Sequence, residues 1–185
     1  MCSDRYPDEA ALRRKWRKPE ATLKEIGLRE GTVFMDIGCG DGFFTIPAAQ
    51  IVGEKGAVYA VDTYSAAVEK LKDTAAEKGL ANITVKVGAA EETVFCKECA
   101  DIVFYSRVLH DFKDPAKVLL NAKQMIKPTG TLVNFDWKKK PTMFGPPVHI
   151  RFSEEEASSL IKAAGFTIKK VESAGHNFYV ITAKP

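Results

Sequence analysis

A short, nearly all-apolar run, Val33–Ile37, passes directly into Gly38-Cys39-Gly40-Asp41-Gly42 and then into residues of helical character. Few folds accommodate that order. Glycines at alternate positions permit a tight turn and let a ligand lie against bare backbone. The start of the following helix offers unpaired N–H groups to an anion. A second apolar run over residues 57–61 ends at Asp62, about twenty residues past the glycines, where a carboxylate can accept both hydroxyls of a ribose. Together these features predict a nucleoside-type cofactor held at the carboxyl ends of the first two strands.

The spacing narrows the ligand further. Dinucleotide binders use G-x-G-x-x-G, whose third glycine packs helix on strand. Here the run is G-x-G-x-G, and Phe43 takes the place of that third glycine. Asp36, two residues before the first glycine, would repel a pyrophosphate but suits a cation such as an α-ammonium or a sulfonium. A nicotinamide-dependent oxidoreductase is therefore the disfavoured alternative.

Strand-like and helix-like segments alternate along the chain, the pattern of an α/β protein with a mostly parallel sheet. Strands are expected at Val33–Ile37, 57–61, Ile83–Val87, 102–105 and 131–135, with helices at Thr45–Val52, 66–78 and 115–126. Gly79 closes the second of these helices. Asp114 is placed to cap the third, with Pro115 at its first position. Residues 127–130, Lys-Pro-Thr-Gly, read as a turn. Further on, Ser153 and Glu156 have capping-box spacing for a helix over 154–164, which Gly165 ends. Runs at 167–172 and 178–183 are joined closely enough for an antiparallel hairpin. A basic helix over 9–18, containing Trp16, Arg17 and Lys18, precedes all of this.

With 185 residues and 45% hydrophobic content the chain is expected to form one globular domain. Its parts are a helical lid over 1–30, a cofactor-binding core over 31–136, and an acceptor-side loop, helix and hairpin over 137–185. The net charge of +3 is too small to indicate nucleic acid or an anionic membrane. Neither a spanning segment nor the apolar core of a signal peptide is present, so a cytoplasmic location is expected. Cys96 and Cys99 form a lone C-x-x-C; without a second pair of ligands nearby, two inert thiols are expected there, and no metal.

The motifs D-I-G-C-G-D-G-F-F-T, V-Y-A-V-D, V-L-H-D-F-K-D-P-A-K-V-L, I-K-P-T-G-T-L and A-G-F are similar to those of class I S-adenosylmethionine-dependent methyltransferases. The resemblance is to the small single-domain group that includes ubiquinone/menaquinone-biosynthesis and arsenite methyltransferases. It implies a Rossmann-like three-layer sandwich with a seven-stranded, mostly parallel sheet whose last strand is antiparallel. It implies S-adenosylmethionine as cofactor and S-adenosylhomocysteine as product. Gly38, Cys39, Gly40 and Gly42 would approach the methionine part, Asp36 its ammonium group, and Asp62 the ribose. Thr63 and Tyr64 would lie along the adenine, and Ser106 and Arg107 along the methionine side. Gly88-Ala89-Ala90-Glu91 matches a segment usually written G-D-A-E, whose Asp binds the adenine amino group. With Ala89 at that position, the contact would fall to Glu91 or to the Ala90 backbone.

The segment after the fourth strand, Tyr105-Ser106-Arg107-Val108, lacks the Asn/Asp-Pro-Pro-aromatic motif of base methylation, so a small-molecule acceptor is expected and nucleic acid is not. His110, His149 and His176 all follow strands, at the edge where ligands bind in open α/β sheets. One of them, His110 foremost with Asp111 or Asp136 beside it, or His149, is a candidate general base; a three-histidine metal site and plain loop residues are the alternatives. Arg151 is read either as a contact to an anionic acceptor or as a local partner of Glu154 or Glu155. A non-catalytic cofactor-binding sensor or partner subunit is the alternative to an enzyme. The sequence leaves the oligomeric state open.

Overall fold

The structure, a computed structural model, describes residues 19–185 and divides into two compact units, one ending at Ala89 and the other running over Ala90–Pro185. The expected basic helix over 9–18, with Trp16, Arg17 and Lys18, and Cys2 lie outside the described residues.

The first unit contains α1 (Pro19–Glu25), β1 (Val33–Ile37), α2 (Thr45–Val52), β2 (Ala57–Asp62), α3 (Ser65–Glu77) and β3 (Ile83–Val87). Its strands are parallel, with β2 between β1 and β3. Parallel neighbours need a crossover, and each crossover here is a helix. β1 is buried on both faces, which explains its continuous apolar run, whereas β3 is largely exposed. Helix α3 packs through Leu71 and Ala75 against Ile46 of α2, Ala60 of β2 and Cys39 of the glycine turn. Gly79 ends α3 with φ +64, the left-handed conformation expected of it.

The second unit contains β4 (Ala100–Ser106), α4 (Pro115–Met125), β5 (Ile126–Trp137), α5 (Glu154–Ala163), β6 (Thr167–Ser173) and β7 (Phe178–Lys184). β5 runs parallel to β4 on one side and antiparallel to β7 on the other. β6 pairs only with β7, as the antiparallel hairpin foreseen. The last strand thus lies inside, between β5 and β6. Both caps read from the sequence are formed. Asp114 accepts the Lys117 N–H at 2.9 Å, and Ser153 and Glu156 complete their box at 3.2 and 2.7 Å.

Two expectations are corrected. Residues 127–130 are not a turn ahead of a strand; β5 already begins at Ile126, opposite Ala100. The Lys-Pro-Thr-Gly signal survives as a bulge, because pairing next resumes at Ile102 with Thr131. Gly130 is required there: a Cβ would stand 2.9 Å from the Ala100 carbonyl oxygen. Cys96 and Cys99 are not free thiols. They are joined in a disulfide, their Cα atoms 6.0 Å apart across a turn that puts Glu98 at φ +49. A turn with two intervening residues is enough to bring this pair together.

Candidate active-site elements

In the first unit the glycine turn is tied to the end of β2. Gly38 and Cys39 donate to the Val61 carbonyl at 2.8 and 3.1 Å, and the Gly40 N–H donates to Asp62 Oδ2 at 2.8 Å. Asp62 Oδ1 accepts the Tyr64 N–H at 2.9 Å, at the start of α3. Each carboxylate oxygen carries two lone pairs, so Asp62 keeps capacity for two incoming hydroxyls. Thr63 beside it is exposed and Tyr64 half-buried.

The three glycines do different work. All have positive φ: +80 at Gly38, +53 at Gly40 and +87 at Gly42. At Gly40 nothing lies within 4 Å of where a Cβ would stand, so a ligand can approach the backbone. At Gly42 that space is filled by Leu71, with its Cγ at 3.3 Å and Ile46 Cγ1 at 3.4 Å. Gly42 is therefore a packing glycine, not a ligand-facing one. It does the job that a third glycine does in dinucleotide folds. Cys39 likewise turns its thiol into the core, where burial above all, with the nearby Asp36 and Asp62 charges, pushes its pKa far up. Only its backbone can meet a ligand.

Asp36 sits beneath this turn, 2% exposed, accepting a 2.6 Å hydrogen bond from Thr45 Oγ1 at the start of α2. Burial raises its pKa to about 7; the Thr45 hydrogen bond works against that, and the Asp62 charge adds to it. After burial, the Asp62 charge further disfavours the Asp36 carboxylate, and a cation placed there would favour it. No side chain caps α2; instead the Ile46 N–H donates to the Gly42 carbonyl at 3.0 Å, which ties the helix start to the glycine turn. Thr45 was not singled out from the sequence, although a hydroxyl at a first helical turn is a common partner for a buried acid.

The segment 88–91 departs from expectation. The Gly88 N–H extends the β2 pairing by donating to the Asp62 carbonyl at 2.9 Å. Beyond it, the Ala90 and Glu91 carbonyls accept both hydrogens of the Asn121 amide at 3.0 and 2.9 Å. The Glu91 carboxylate accepts the Lys113 and Asp114 N–H groups at 3.1 and 3.3 Å. Glu91 is thus committed to fixing the start of α4, which leaves it poorly suited to an adenine contact.

In the second unit the parallel β4 and β5 bring their carboxyl ends together. His110, in a turn four residues past β4, is 8% exposed. Its Nδ1 lies 2.9 Å from Oδ1 and 3.1 Å from Oδ2 of Asp136, near the end of β5. Oδ1 is fixed in turn by the Trp137 N–H at 2.8 Å. The carboxylate holds the proton on Nδ1, which leaves the lone pair on Nε2, itself a buried atom. Among the described residues Nε2 has no hydrogen-bond partner, and Asp111 Oδ1 is 3.7 Å away. Burial opposes the imidazolium, but the Asp136 hydrogen bond and charge, together with Asp111, outweigh burial and the opposing Arg151 charge. The net shift is upward. Of the two acids considered as its partner, Asp136 is the one bonded to it.

Arg151 is committed mainly to backbone carbonyls. It is 2% exposed, and its guanidinium donates to the carbonyls of Pro146 (2.8 Å), Lys138 (3.2 Å) and Lys140 (2.9 Å) and to Thr142 Oγ1 (2.7 Å). It also lies 5.0 Å over the Trp137 ring. A planar fork of five donors suits a loop that offers several carbonyls, so Arg151 shapes the loop over 138–147 and is withdrawn as an acceptor contact. Gly145, at φ +97, lets the loop press on the same indole. His149 and His176 are exposed and are not brought into one cluster with His110. Among the described residues no group of three or more His, Cys, Asp or Glu is placed to hold a metal, and no helix is long and apolar enough to cross a membrane. Ser106 Oγ is buried without a hydrogen-bond partner among the described residues, and Arg107 continues the strand pairing, donating to the Phe135 carbonyl at 2.6 Å with φ +57.

Comparisons with known proteins give the family and the fold. The model of a methyltransferase-domain family matches residues 28–172. A demethylmenaquinone methyltransferase of Geobacillus sp. is 30% identical over 77% of this chain and 60% of its own length. The nocamycin O-methyltransferase of Saccharothrix syringae is 31% identical over 60% of this chain and 39% of its own. The chain therefore spans about half the length of such curated relatives. A solved S-adenosylmethionine-dependent methyltransferase from Aquifex aeolicus is 32% identical and covers 92% of this chain and 91% of its own, with a TM-score of 0.87. The fold is accordingly the expected Rossmann-like one, with seven mostly parallel strands and β7 antiparallel.

Proposed function

The chain belongs to the methyltransferase-domain family, and on that premise we propose that it transfers the methyl group of S-adenosylmethionine to a small-molecule acceptor. The observation that carries the cofactor is the pair Asp36 and Asp62 around the open backbone of Gly40. Such a pair suits a ligand with both positive charge and ribose hydroxyls. Gly38, Gly40, Asp36, Asp62, Thr63, Tyr64 and Ala89 would hold the cofactor. When bound, the sulfonium supplies an activated methyl carbon.

The chain's own residues then have two tasks. The cofactor-side groups hold the sulfonium away from water and in fixed orientation, an effect that can supply roughly 7–11 kcal/mol of the barrier. His110, aimed by Asp136, takes a proton from the acceptor through Nε2 where the acceptor must lose one. An acceptor with a weakly acidic hydroxyl or amine fits that base. The names of the relatives, which include O-methyltransferase and demethylmenaquinone methyltransferase, support a small molecule. We carry forward the single-domain organisation as part of the same reading.

The test is thermal unfolding with S-adenosylmethionine, S-adenosylhomocysteine, NAD and NADP added separately. A ligand at about 100 times its dissociation constant adds roughly 2.7 kcal/mol. Stabilisation by the first two alone supports the reading; stabilisation by NAD or NADP instead replaces it with the oxidoreductase.

A further inference from the structure

The disulfide between Cys96 and Cys99 has no part in the function proposed above. It closes a ring with only Lys97 and Glu98 between the cysteines. A cross-link stabilises a fold mainly by restricting the unfolded chain, and it does so least when the loop it closes is shortest. The segment is moreover fastened without it: Glu98 donates to the Gln124 carbonyl and Cys99 to the Met125 carbonyl, each at 2.9 Å, and the Phe95 N–H lies 3.2 Å from Met125 Sδ. A bond that adds little to an already anchored segment calls for another use.

Access and geometry supply one. Both cysteines are half-buried, and Lys97 and Glu98 are exposed, so a small thiol can reach the sulfurs. Because the backbone bonds hold the segment independently, the two thiols remain neighbours when reduced and the ring can close again without rearrangement. The third cysteine described, Cys39, is buried in the core of the first unit with its thiolate strongly disfavoured, so it does not compete.

We propose that Cys96 and Cys99 are a redox-active pair that cycles between dithiol and disulfide by exchange with a low-molecular-weight thiol of the glutathione kind. In the oxidising direction the thiolate of one cysteine attacks the disulfide of oxidised glutathione, forming a mixed disulfide and releasing one glutathione thiolate. The second cysteine then attacks the protein sulfur, the ring S–S bond forms, and the second glutathione leaves. Two electrons pass from the pair to the glutathione disulfide, and the two cysteine thiol protons end on the two glutathione thiols released. Reduction is the reverse, with two glutathione molecules as the reductant.

The experiment equilibrates the purified full chain with mixtures of oxidised and reduced glutathione, quenches in acid, alkylates free thiols, and measures the joined and separate 96–99 peptides by mass spectrometry. The expected result is a disulfide fraction that falls from nearly complete to nearly absent as reduced glutathione replaces oxidised. In Cys99→Ser, Cys96 should be trapped as a glutathione mixed disulfide. A pair that stays joined in excess reduced glutathione is structural, and a pair that stays reduced in excess oxidised glutathione is inert; either overturns the proposal. None of these readings depends on methyl transfer, so failure here leaves the proposed function untouched, and the reverse also holds.

Discussion

The Gly40 N–H donates to Asp62 Oδ2 at 2.8 Å across 22 residues of chain, so the glycine turn and the end of β2 are fastened through one carboxylate. That carboxylate also receives the Tyr64 N–H. Its expected ribose role therefore comes with a structural one. Asp62→Ala should lower stability by about 1.5–3 kcal/mol, the range for losing hydrogen bonds to a charged group. It should also abolish measurable S-adenosylmethionine binding. Urea unfolding and titration calorimetry check the two effects separately, and unchanged cofactor affinity would remove Asp62 from the site.

Gly40 and Gly42 should respond differently to the same substitution. Alanine at either position is forced into a left-handed conformation that costs about 1–2 kcal/mol. At Gly42 it also collides with Leu71, and overpacking adds roughly 1–3 kcal/mol. At Gly40 the methyl group projects into open space. Gly42→Ala should thus be the less stable protein, while Gly40→Ala should keep most of its stability and lose cofactor affinity. Melting temperatures and calorimetry on both variants decide this; equal losses of stability would refute the division of labour.

Asp36 links binding to pH. Its pKa is raised from 3.8 to about 7, so the folded protein retains a proton that the unfolded chain gives up. Stability from this group is complete below about pH 3.8 and declines as pH rises towards 7. A bound cation favours the carboxylate and expels that proton. Calorimetry at pH 6 in buffers of different ionisation enthalpy should show proton release on S-adenosylmethionine binding. The release should vanish in Asp36→Asn.

His110→Ala should reduce kcat by about 10²–10⁴-fold, the usual worth of a positioned base, with cofactor affinity unchanged. Asp136→Asn is the finer probe. The Asp136 hydrogen bond and charge are what raise the His110 pKa, against burial and the Arg151 charge and with help from Asp111. Without the carboxylate the imidazole titrates at lower pH. The acidic limb of kcat/KM should therefore move to lower pH while kcat falls, because the ring is no longer held in one tautomer. A full-activity His110→Ala variant would falsify the base assignment.

Arg151→Met should destabilise the protein by several kcal/mol, because it strands three carbonyls that the guanidinium now satisfies. Arg151→Lys should recover only part, since an ammonium cannot span the same fork. Denaturant unfolding measures both. A near-neutral Arg151→Met would show that the loop over 138–147 holds its shape by other means.

What could be read from the sequence was local. The glycine turn, the acid closing β2, the Asp114 cap and the Ser153–Glu156 box all arise from residues within a few positions of one another, and each stands where it was expected. What escaped depended on partners far along the chain. The bulge at 127–130 exists because Ala100 pairs with Ile126, and nothing in Lys-Pro-Thr-Gly distinguishes that from a turn. From the sequence, Arg151 matches an anionic acceptor or a local Glu154 or Glu155, because its backbone-carbonyl acceptors are marked by no side-chain pattern. Asn121 and its two carbonyls are 31 and 30 residues apart, beyond the reach of any motif. His110 lay between these cases: its candidacy was legible, but only the adjacency of β4 and β5 chose Asp136 over Asp111.

The inward place of β7 carries a consequence for how the chain is made. β5 is complete once residue 137 has been synthesised, yet its second neighbour begins at Phe178, with Leu132 paired to Ala183. Until those residues emerge, one edge of β5 and all of β6 present unpaired backbone to the cell, and β6 has nowhere to dock. The second unit therefore cannot complete its sheet before β7 is available, and until then its open edges invite pairing with other chains.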